Sequence, residues 1–190
     1  MRSSVSARSR QMRTAETGSD NAEYSEKDFS RAKNMAYRAL ALRPRSAKEV
    51  AERLHDRGCA DAVIDAVLAA LGRYGYLNDE VFAGQWVEGR VRLRSFGRRR
   101  IERELADKGV DGETARSSLE RHLPADRERE TARQAALRKL ATLRGFDRIV
   151  RRRRLAGFLE RKGFSFALIR DIIRELDEGR AEQSADPGEL

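Results

Sequence analysis

The segment Gly75-Tyr76-Leu77-Asn78-Asp79-Glu80-Val81-Phe82-Ala83 predicts the end of one helix and the start of the next. Gly75 can close a helix because glycine adopts the left-handed backbone conformation without a Cβ penalty. Asn78 or Asp79 can then cap the following helix, because the side-chain oxygen accepts a free N–H of its first turn. Apolar residues follow at the spacing of one helical face, which predicts a leading helix over about 79–93.

A second helix is predicted a few residues further on, in the run from Phe96 to Val110. Ile101 and Leu105 stand one turn apart after Gly97, and Gly109 closes the run. Between them the chain reads Gly97-Arg-Arg-Arg-Ile-Glu-Arg-Glu-Leu105, followed by Lys108-Gly-Val110. The two segments together predict a pair of helices joined by a short connection.

The pattern of this second helix occurs three times, and the repeat decides the architecture. Two apolar residues and a glycine stand four apart in each copy: Val50, Leu54 and Gly58; Ile101, Leu105 and Gly109; Leu155, Leu159 and Gly163. A basic residue precedes each glycine (Arg57, Lys108 and Lys162), and the glycines are 51 and 54 residues apart. Apolar residues follow Gly58 and Gly163 at the same five offsets. The middle copy departs from this pattern, so its third helix should be the least well packed.

The sequence therefore predicts an all-α fold, an elongated array of three tandem three-helix repeats with boundaries at 30–76, 77–123 and 124–178. The leading helices fall at about 31–42, 79–93 and 127–143, with Leu137 facing inward in the last. Ser46-Ala-Lys-Glu49 is a capping box that opens the second helix of the first repeat. Residues 1–29 are predicted to be a disordered tail and 179–190 a flexible one. The handedness of the array is left open.

The two motifs also resemble those of a known family. Gly75-Tyr-Leu-Asn-Asp-Glu-x-Phe-Ala83 and Gly97-x-x-x-Ile-x-x-Glu-Leu-x-x-Lys-Gly-Val110 are similar, in this order, to the RecX family of RecA regulators. The resemblance covers about 31–176. It implies a small helical protein that binds the RecA recombinase filament and inhibits its ATPase, strand-exchange and co-protease activities. It thereby implies a role in DNA repair, recombination and the SOS response. Gly84 and Gly89 depart from the family pattern, so the helix that holds them should kink or approach a neighbour closely.

Motifs for catalysis or cofactor binding are absent from the sequence. It contains no phosphate-binding glycine loop and no GxGxxG. His55 and His122 are too far apart for a helical metal pair, and a Cys59–His55 nucleophilic pair would lack an orienting third group. We therefore expect no enzyme, no cofactor and no metal. With no apolar stretch of membrane length and one cysteine, we expect a cytoplasmic monomer, nucleoid-associated when it is bound to filaments.

Arginine is concentrated in two places, with seven in residues 90–103 and six in 144–154, each run containing one acid. Both runs lie where the first helix of a repeat connects to the second, so the array should align them as a basic ridge. Cations at helix starts oppose the helix dipole by roughly 0.3–1 kcal/mol each, which favours a functional reason for them. The candidate residues for binding the RecA filament, or DNA without sequence preference, are Arg90, Arg94, Arg98, Arg99, Arg100, Arg103, Arg144, Arg148, Arg151, Arg152, Arg153 and Arg154.

Two alternatives stay open at this point. The chain could be a non-specific DNA-binding protein built from helix-turn-helix-like units, in which base-reading polar side chains would be needed on a second or third helix. The third helices of the first and last repeats are mostly aliphatic, which disfavours sequence-specific reading. An aromatic cluster at the join between the first two repeats could stack on bases, but its spacing favours core or inter-unit packing. It comprises Tyr74, Tyr76, Phe82 and Trp86. Arginines that are simply solvated are the alternative to the ridge. Changing Arg98, Arg99 and Arg100 to alanine should leave the fold intact in either case, and should weaken filament binding only if the ridge is functional.

Overall fold

The computed structural model describes residues 24–185, and within them the chain forms nine α-helices and no strand. The helices are α1 Glu26–Leu42, α2 Ala47–His55, α3 Asp61–Arg73, α4 Asp79–Arg94, α5 Arg98–Asp107, α6 Gly112–His122, α7 Ala125–Ala141, α8 Arg148–Lys162 and α9 Phe166–Ala185. None of the helices in this part of the chain is both long and apolar enough to cross a membrane. The predicted all-α class is confirmed.

Helices that pack extensively on one another belong to the same group of three. We call these groups unit one (α1–α3), unit two (α4–α6) and unit three (α7–α9). Each unit has a core of its own, built around Leu54 and Leu71 in unit one, Ile101 and Leu105 in unit two, and Leu155 and Ile172 in unit three. The three tandem three-helix repeats are therefore confirmed, and the elongated shape stays a prediction.

The helix boundaries follow the capping residues, with differences at both ends of the chain. Ser46 forms the predicted capping box, since its Oγ accepts from the N–H of Glu49 at 3.2 Å. α1 begins at Glu26 because Ser25 caps it, and Tyr24 and Phe29 pack on the core of unit one. The predicted tail thus ends before Tyr24, and the expectation for residues 1–23 lies outside the described residues. α9 continues to Ala185, so the predicted tail at 179–185 is helical, and 186–190 lie outside the described residues.

The third helix of unit two is not loosely packed, in contrast to the prediction. α6 buries Ala115, Ser118 and Leu119 against its neighbours. α4 can approach it closely because a Cβ on Gly84 would lie 2.8 Å from His122 Nε2. Small side chains replace the large aliphatic ones of the other units, so the interface is close although its sequence is degenerate. The close approach predicted for Gly84 is therefore seen, whereas a Cβ on Gly89 would meet nothing within 4 Å.

The second helices of the three units lie end to end. The start of α2 meets the end of α5, a contact we call the first joint, and the start of α5 meets the end of α8, the second joint. In the first joint Ser46 Oγ donates to the carbonyl of Lys108 at 2.7 Å. In the second the N–H of Gly97 donates to the carbonyl of Lys162 at 2.8 Å. Ser46 and Gly97 are both N-cap residues, so both joints place a helix cap against the carbonyl before a repeated glycine, through a hydroxyl in the first and a backbone N–H in the second.

Two further contacts recur in both joints. A basic side chain from the receiving helix binds the carbonyl one residue earlier: Lys48 Nζ donates to Asp107 O at 2.9 Å, and Arg100 Nη1 donates to Arg161 O at 3.1 Å. A carboxylate from the leading helix of the next unit accepts the first N–H of the receiving helix. Asp79 accepts from Ala47 at 2.9 Å, and Glu128 accepts from Arg98 at 2.8 Å. The first free N–H of each helix start is thus satisfied by the following unit.

Candidate functional site

The second joint leads into a groove whose charged lining residues are all basic. A hollow of about 440 Å³ lies between the end of α4, α7 and α8, a second of about 340 Å³ lies between α7 and α8, and Lys139 lines both. Neither hollow has a carboxylate side chain among its lining residues. We call this groove the basic cleft, and its charged lining residues are Arg92, Arg94, Arg138, Lys139, Arg153, Arg154, Arg161 and Lys162.

Aromatic rings and carbonyl groups hold several of these cations in place. Lys139 Nζ and Lys162 Nζ lie 5.7 Å and 5.5 Å from the centre of the Phe158 ring, and the Arg154 guanidinium lies 3.8 Å from that of Phe146. Lys162 Nζ also donates to the carbonyl of Arg94. Contacts of this kind orient a cation while its charge stays available to an anion.

The positive charge in the cleft is strong enough to act on its own members. Burial lowers the pKa of Lys162, and the nearby charges of Arg100, Arg138 and Arg94 lower it further. A cation that neighbouring cations destabilise gains most from a bound anion. The cleft is therefore suited to an anionic partner such as phosphates or carboxylates, which guanidinium groups bind with two parallel hydrogen bonds.

A larger hollow of about 770 Å³ lies between α4 and α6; Arg92 lines it as well, but both of its carboxylates are already paired. Glu80 accepts from Arg121 at 3.1 Å, and Glu88 accepts from Arg127 at 2.6 Å. The hydrogen bond from Arg127 lowers the pKa of Glu88 to about 2 against the opposing effect of burial. Because the ion pairs neutralise one another, this hollow has less to offer a charged partner than the basic cleft.

The predicted basic ridge is only partly assembled by the structure. Arg94, Arg153 and Arg154 line the basic cleft. Arg99 and Arg103 are exposed on α5, where Arg103 Nε donates to the carbonyl of Arg99. Three more are exposed in or just before α8: Arg144, Arg148 and Arg152. Arg148 and Arg152 form ion pairs with Asp177.

Two of the predicted residues have contacts within the protein that the sequence did not indicate. Arg90 forms an ion pair with Glu104, and its guanidinium lies 3.9 Å from the centre of the Trp86 ring. Arg100 lies 3.8 Å from the centre of the Phe96 ring and also binds the second joint through Arg161. Changing Arg100 to alanine would remove these contacts, so we no longer expect the change of Arg98, Arg99 and Arg100 to leave the joint unaffected.

Of the predicted arginines in α8, only Arg148 occupies the helix start. α8 begins at Arg148 and is capped by Asp147, which accepts the N–H of Val150 at 2.9 Å. Arg151, Arg152, Arg153 and Arg154 therefore lie beyond the first three positions of the helix. Their placement is not equivalent to that of Arg98, Arg99 and Arg100, which oppose the dipole at the start of α5, whereas these four residues do not lie at a helix start.

The contribution of α7 to the site was not predicted from the sequence. Arg138 and Lys139 fall in the last turn of α7, where basic residues are common because they suit the helix dipole. Arg138 Nη2 donates to Ser95 Oγ of unit two at 2.8 Å. In the sequence pattern Lys162 is only the residue before a repeated glycine. A signal was present in the +6 charge of residues 124–178, the largest of the three repeats.

The aromatic residues divide into two groups. Phe82 is buried, and Trp86 packs against the same core, as predicted. Tyr74 and Tyr76 are 71% and 59% exposed, so the core packing predicted for them is wrong, although Tyr76 contacts one other ring. Both lie in the connection between α3 and α4, where Tyr76 meets Tyr37 edge to face at 5.1 Å. In the described residues no cluster of His, Cys, Asp and Glu side chains could hold a metal ion.

Comparisons with known proteins agree with this architecture. Three domain models of one family match in order: the first three-helix domain of RecX at residues 32–71, the second at 78–119 and the third at 126–173. The regulatory protein RecX of Thermobifida fusca is 40% identical over 147 residues, which cover 77% of this chain and 79% of that protein. The regulatory protein RecX of Streptomyces coelicolor is 36% identical over 158 residues, covering 83% and 84%.

Solved structures show the same fold at lower identity. The crystal structure of RecX from Lactobacillus salivarius superposes with a TM-score of 0.73 at 24% identity, over 80% of this chain and 97% of that one. A crystal structure of a regulatory protein RecX gives 0.70 at 19% identity, over 76% and 71%. The molecule is thus a helical repeat protein of three tandem three-helix domains with a basic cleft at its second joint. It belongs to the RecX family of regulatory proteins.

Proposed function

We propose that this protein regulates the RecA recombinase by docking along the RecA filament on DNA. Docking inhibits ATP hydrolysis, strand exchange and the co-protease activity of the filament, and so modulates recombination and DNA repair. The observation that carries the proposal is a basic cleft with no carboxylate in its lining, in a protein that belongs to a family of regulatory proteins.

The tandem repeat and the charge of the basic cleft support a long, anionic, periodic partner. Tandem units present similar faces at regular intervals, which suits a partner that itself repeats. The cations of the basic cleft can face DNA phosphates or acidic groups of a protein, since both accept paired hydrogen bonds from guanidinium groups. Exposed Leu93 lies in the same groove and offers an apolar contact beside the charges.

The proposal is tested by co-sedimentation with RecA filaments on single-stranded DNA over a range of salt concentrations. The variant carries Arg92→Ala, Lys139→Ala and Arg153→Ala, three cleft residues outside the hydrogen bonds of the second joint. The matched control carries Arg31→Ala, Arg38→Ala and Arg53→Ala, three exposed arginines of unit one. Circular dichroism checks that both variants fold.

We expect the cleft variant to bind filaments at least about tenfold more weakly and the control to bind as the parent does. If the cleft binds phosphates, the slope of log K against log salt falls by roughly 0.7–0.9 for each phosphate that is no longer neutralised. A weakened variant with an unchanged slope would place the cleft on the RecA protein. Equal binding and equal ATPase inhibition by all three proteins would show that the basic cleft is not the interface.

The second candidate function is DNA binding without sequence preference and without RecA. The basic cleft favours it, because its cations suit a phosphate backbone. The exposed side chains of α3 disfavour base reading, since Asp61 and Asp65 would face the negatively charged groove edges. Tight binding to DNA alone, with no effect on the RecA ATPase rate, would select this function over the first.

A further inference from the structure

Units two and three each contribute a carboxylate and the end of a second helix to a joint. Unit one carries the counterparts of these residues at an exposed position. The carboxylate of each joint lies four residues before the first buried alanine of a leading helix: Asp79 before Ala83, Glu128 before Ala132 and, in unit one, Asp28 before Ala32. Asp28 is exposed and accepts from Ser25 Oγ of its own helix at 2.7 Å. It accepts no backbone N–H from another helix among the described residues.

The end of α2 has the same chemistry as the ends of α5 and α8. Asp56, Arg57 and Gly58 stand where Asp107, Lys108 and Gly109 stand in unit two. The carbonyls of Asp56 and Arg57 accept no hydrogen bond from the described residues, although their counterparts accept the bonds of the first joint. A Cβ on Gly58 would meet nothing within 4 Å, whereas one on Gly109 would lie 2.7 Å from the side chain of Lys48.

The residue after the glycine completes the match. Val110 and Phe164 follow Gly109 and Gly163 and are almost fully buried. Cys59 follows Gly58 and is only partly buried, although it packs against the core of unit one. An apolar surface that is covered at both joints is thus partly open in unit one. We call the set of Asp28, the carbonyls of Asp56 and Arg57, Gly58 and Cys59 the half-joint.

We propose that the half-joint is a docking site for the start of a helix of a partner protein. The two joints define what that helix needs. A small N-cap residue, Ser46 or Gly97 in the joints, donates to the last carbonyl, and a Lys or Arg of the first turn reaches the carbonyl before it. The first free N–H of the helix binds the carboxylate. Under the function proposed above the partner is RecA, and only the identity of the partner rests on that proposal.

A second copy of the chain does not supply this helix, because the corresponding start in unit three is blocked. Leu40 to Val50 and Val91 to Ile101 are ten residues apart, whereas Leu140 to Leu155 are fifteen apart. The five additional residues lengthen α8 by a turn at its start. The position of Gly97 is taken by Arg151, whose N–H is already bonded to the carbonyl of Asp147 at 2.9 Å.

This difference provides a test that needs no partner. Replacing residues 145–151 by Phe-Gly restores the ten-residue spacing and gives Phe-Gly-Arg-Arg-Arg-Leu, which mirrors Phe96-Gly-Arg-Arg-Arg-Ile101. The full chain then carries a free helix start at one end and the half-joint at the other. Sedimentation velocity should show head-to-tail association that grows with concentration, while the parent chain stays monomeric under the same conditions.

Two further changes in the grafted chain identify the surface that associates. Asp28→Arg removes the carboxylate of the half-joint and should abolish association. Asp65→Arg makes the same charge change at an exposed position of α3 and should leave association intact. A grafted chain that keeps its helical dichroism and remains monomeric, or associates equally with Asp28→Arg, would overturn the half-joint as a docking site.

The native chain provides a second measurement, which also covers a graft that fails to fold. Cys59 is the one cysteine of the sequence, so its reaction with a thiol reagent reports on the half-joint. Bound to RecA filaments, Cys59 should lose reactivity. Asp28→Arg should weaken filament binding by about tenfold, the loss expected when a charge-assisted hydrogen bond is removed, and Asp65→Arg should not.

The outcomes separate the half-joint from the proposed function. If the parent chain fails to bind filaments, the proposed function is contradicted. The association of the grafted chain then decides whether the half-joint is a docking site. Binding with full Cys59 reactivity and no effect of Asp28→Arg overturns the assignment of a RecA helix to this site. If deletion of residues 1–23 raises the Cys59 rate of the free chain, the chain's own N-terminal segment occupies the site and the proposal of a partner helix is wrong.

Discussion

The third residue of the receiving helix is Glu49 in the first joint and Arg100 in the second. Glu49 is bound by Lys108 at 2.7 Å and by Arg43 at 3.0 Å, so the charges of the first joint neutralise one another. In the second joint Arg100 and Lys162 rest on the ring of Phe96, and Arg100 pairs with Glu104 at 3.3 Å, whereas Lys162 has no carboxylate partner among the described residues. The two joints therefore share their arrangement of helices but differ in charge: the first is neutralised and the second is basic. The comparison teaches that the repeat determines where the joints form, while single side chains decide which joint stays available to an anion.

The largest effect is expected at the glycine of the second joint. Gly163→Ala would place a Cβ 2.6 Å from the backbone N of Arg100, and Gly163 has a φ of 91°. Strain and overpacking together should lower the free energy of unfolding by about 3 kcal/mol or more. Gly58→Ala is the matched control, because its φ of 75° brings strain without a clash, and it should cost about 1 kcal/mol. If both variants lost the same free energy of unfolding in chemical denaturation, the second joint would tolerate a separation of α5 from α8.

The next effect is a pH dependence of the stability of the first joint, which depends on Glu49. Burial tends to raise the pKa of Glu49, but hydrogen bonds from Arg43 and Lys108 outweigh it and lower the pKa to about 2 from its ordinary value of 4.5. A lowered pKa contributes stability above 4.5 that is lost as the pH falls toward 2. Glu49→Gln should therefore destabilise by about 1–2 kcal/mol at neutral pH and progressively less in acid. A difference from the parent that does not change with pH would contradict this assignment.

A smaller effect is expected from an anion, and only at the second joint. A short single-stranded oligonucleotide at ten times its Kd should stabilise the protein by about 1.4 kcal/mol. The variant Arg92→Ala, Lys139→Ala, Arg153→Ala should lose most of this gain, which thermal unfolding at low salt would measure. Equal stabilisation of both proteins would place the bound anion outside the basic cleft.

The smallest effect concerns α4, which links the two joints. Asp79 at its start caps α2, and the carbonyl of Arg94 at its end binds Lys162. Gly89→Ala adds a methyl group into open space and should stabilise by about 0.5–1 kcal/mol. Gly84→Ala on the same helix meets His122 at 2.8 Å and should destabilise instead. If both changes stabilise, the close approach of α4 and α6 does not constrain the helix.

Features that depend on neighbours along the chain were predictable from the sequence. The glycine stops, the capping box at Ser46 and the three-unit order follow from local spacing and local hydrogen bonds, and the structure confirms them. The close approach at Gly84 was also indicated, because glycine inside a helix needs a reason. By contrast, periodicity could not show that α1 begins at Glu26, since the turn that Ser25 caps is mostly polar.

The contacts between units could not be predicted in the same way. Arg100 and the carbonyl that it binds are 61 residues apart, and no spacing rule connects them. The sequence therefore indicated an arginine-rich surface but not which arginines hold the joint. It also missed Arg138 and Lys139, because their place in the cleft depends on how α7 lies against α4. Tyr74 and Tyr76 were misjudged because helical spacing was assumed across a connection that is not helical.

The separation along the chain between joint partners has a consequence for how the molecule forms. Packing within a unit involves residues near one another in sequence, which favours rapid folding of each unit. The hydrogen bond of Ser46, in contrast, needs a carbonyl that lies 62 residues further along the chain. At a synthesis rate of about 5–20 residues per second, that delay lasts roughly 3–12 seconds. During this interval the start of α2 is available to other molecules, and the first joint closes only after unit two has left the ribosome.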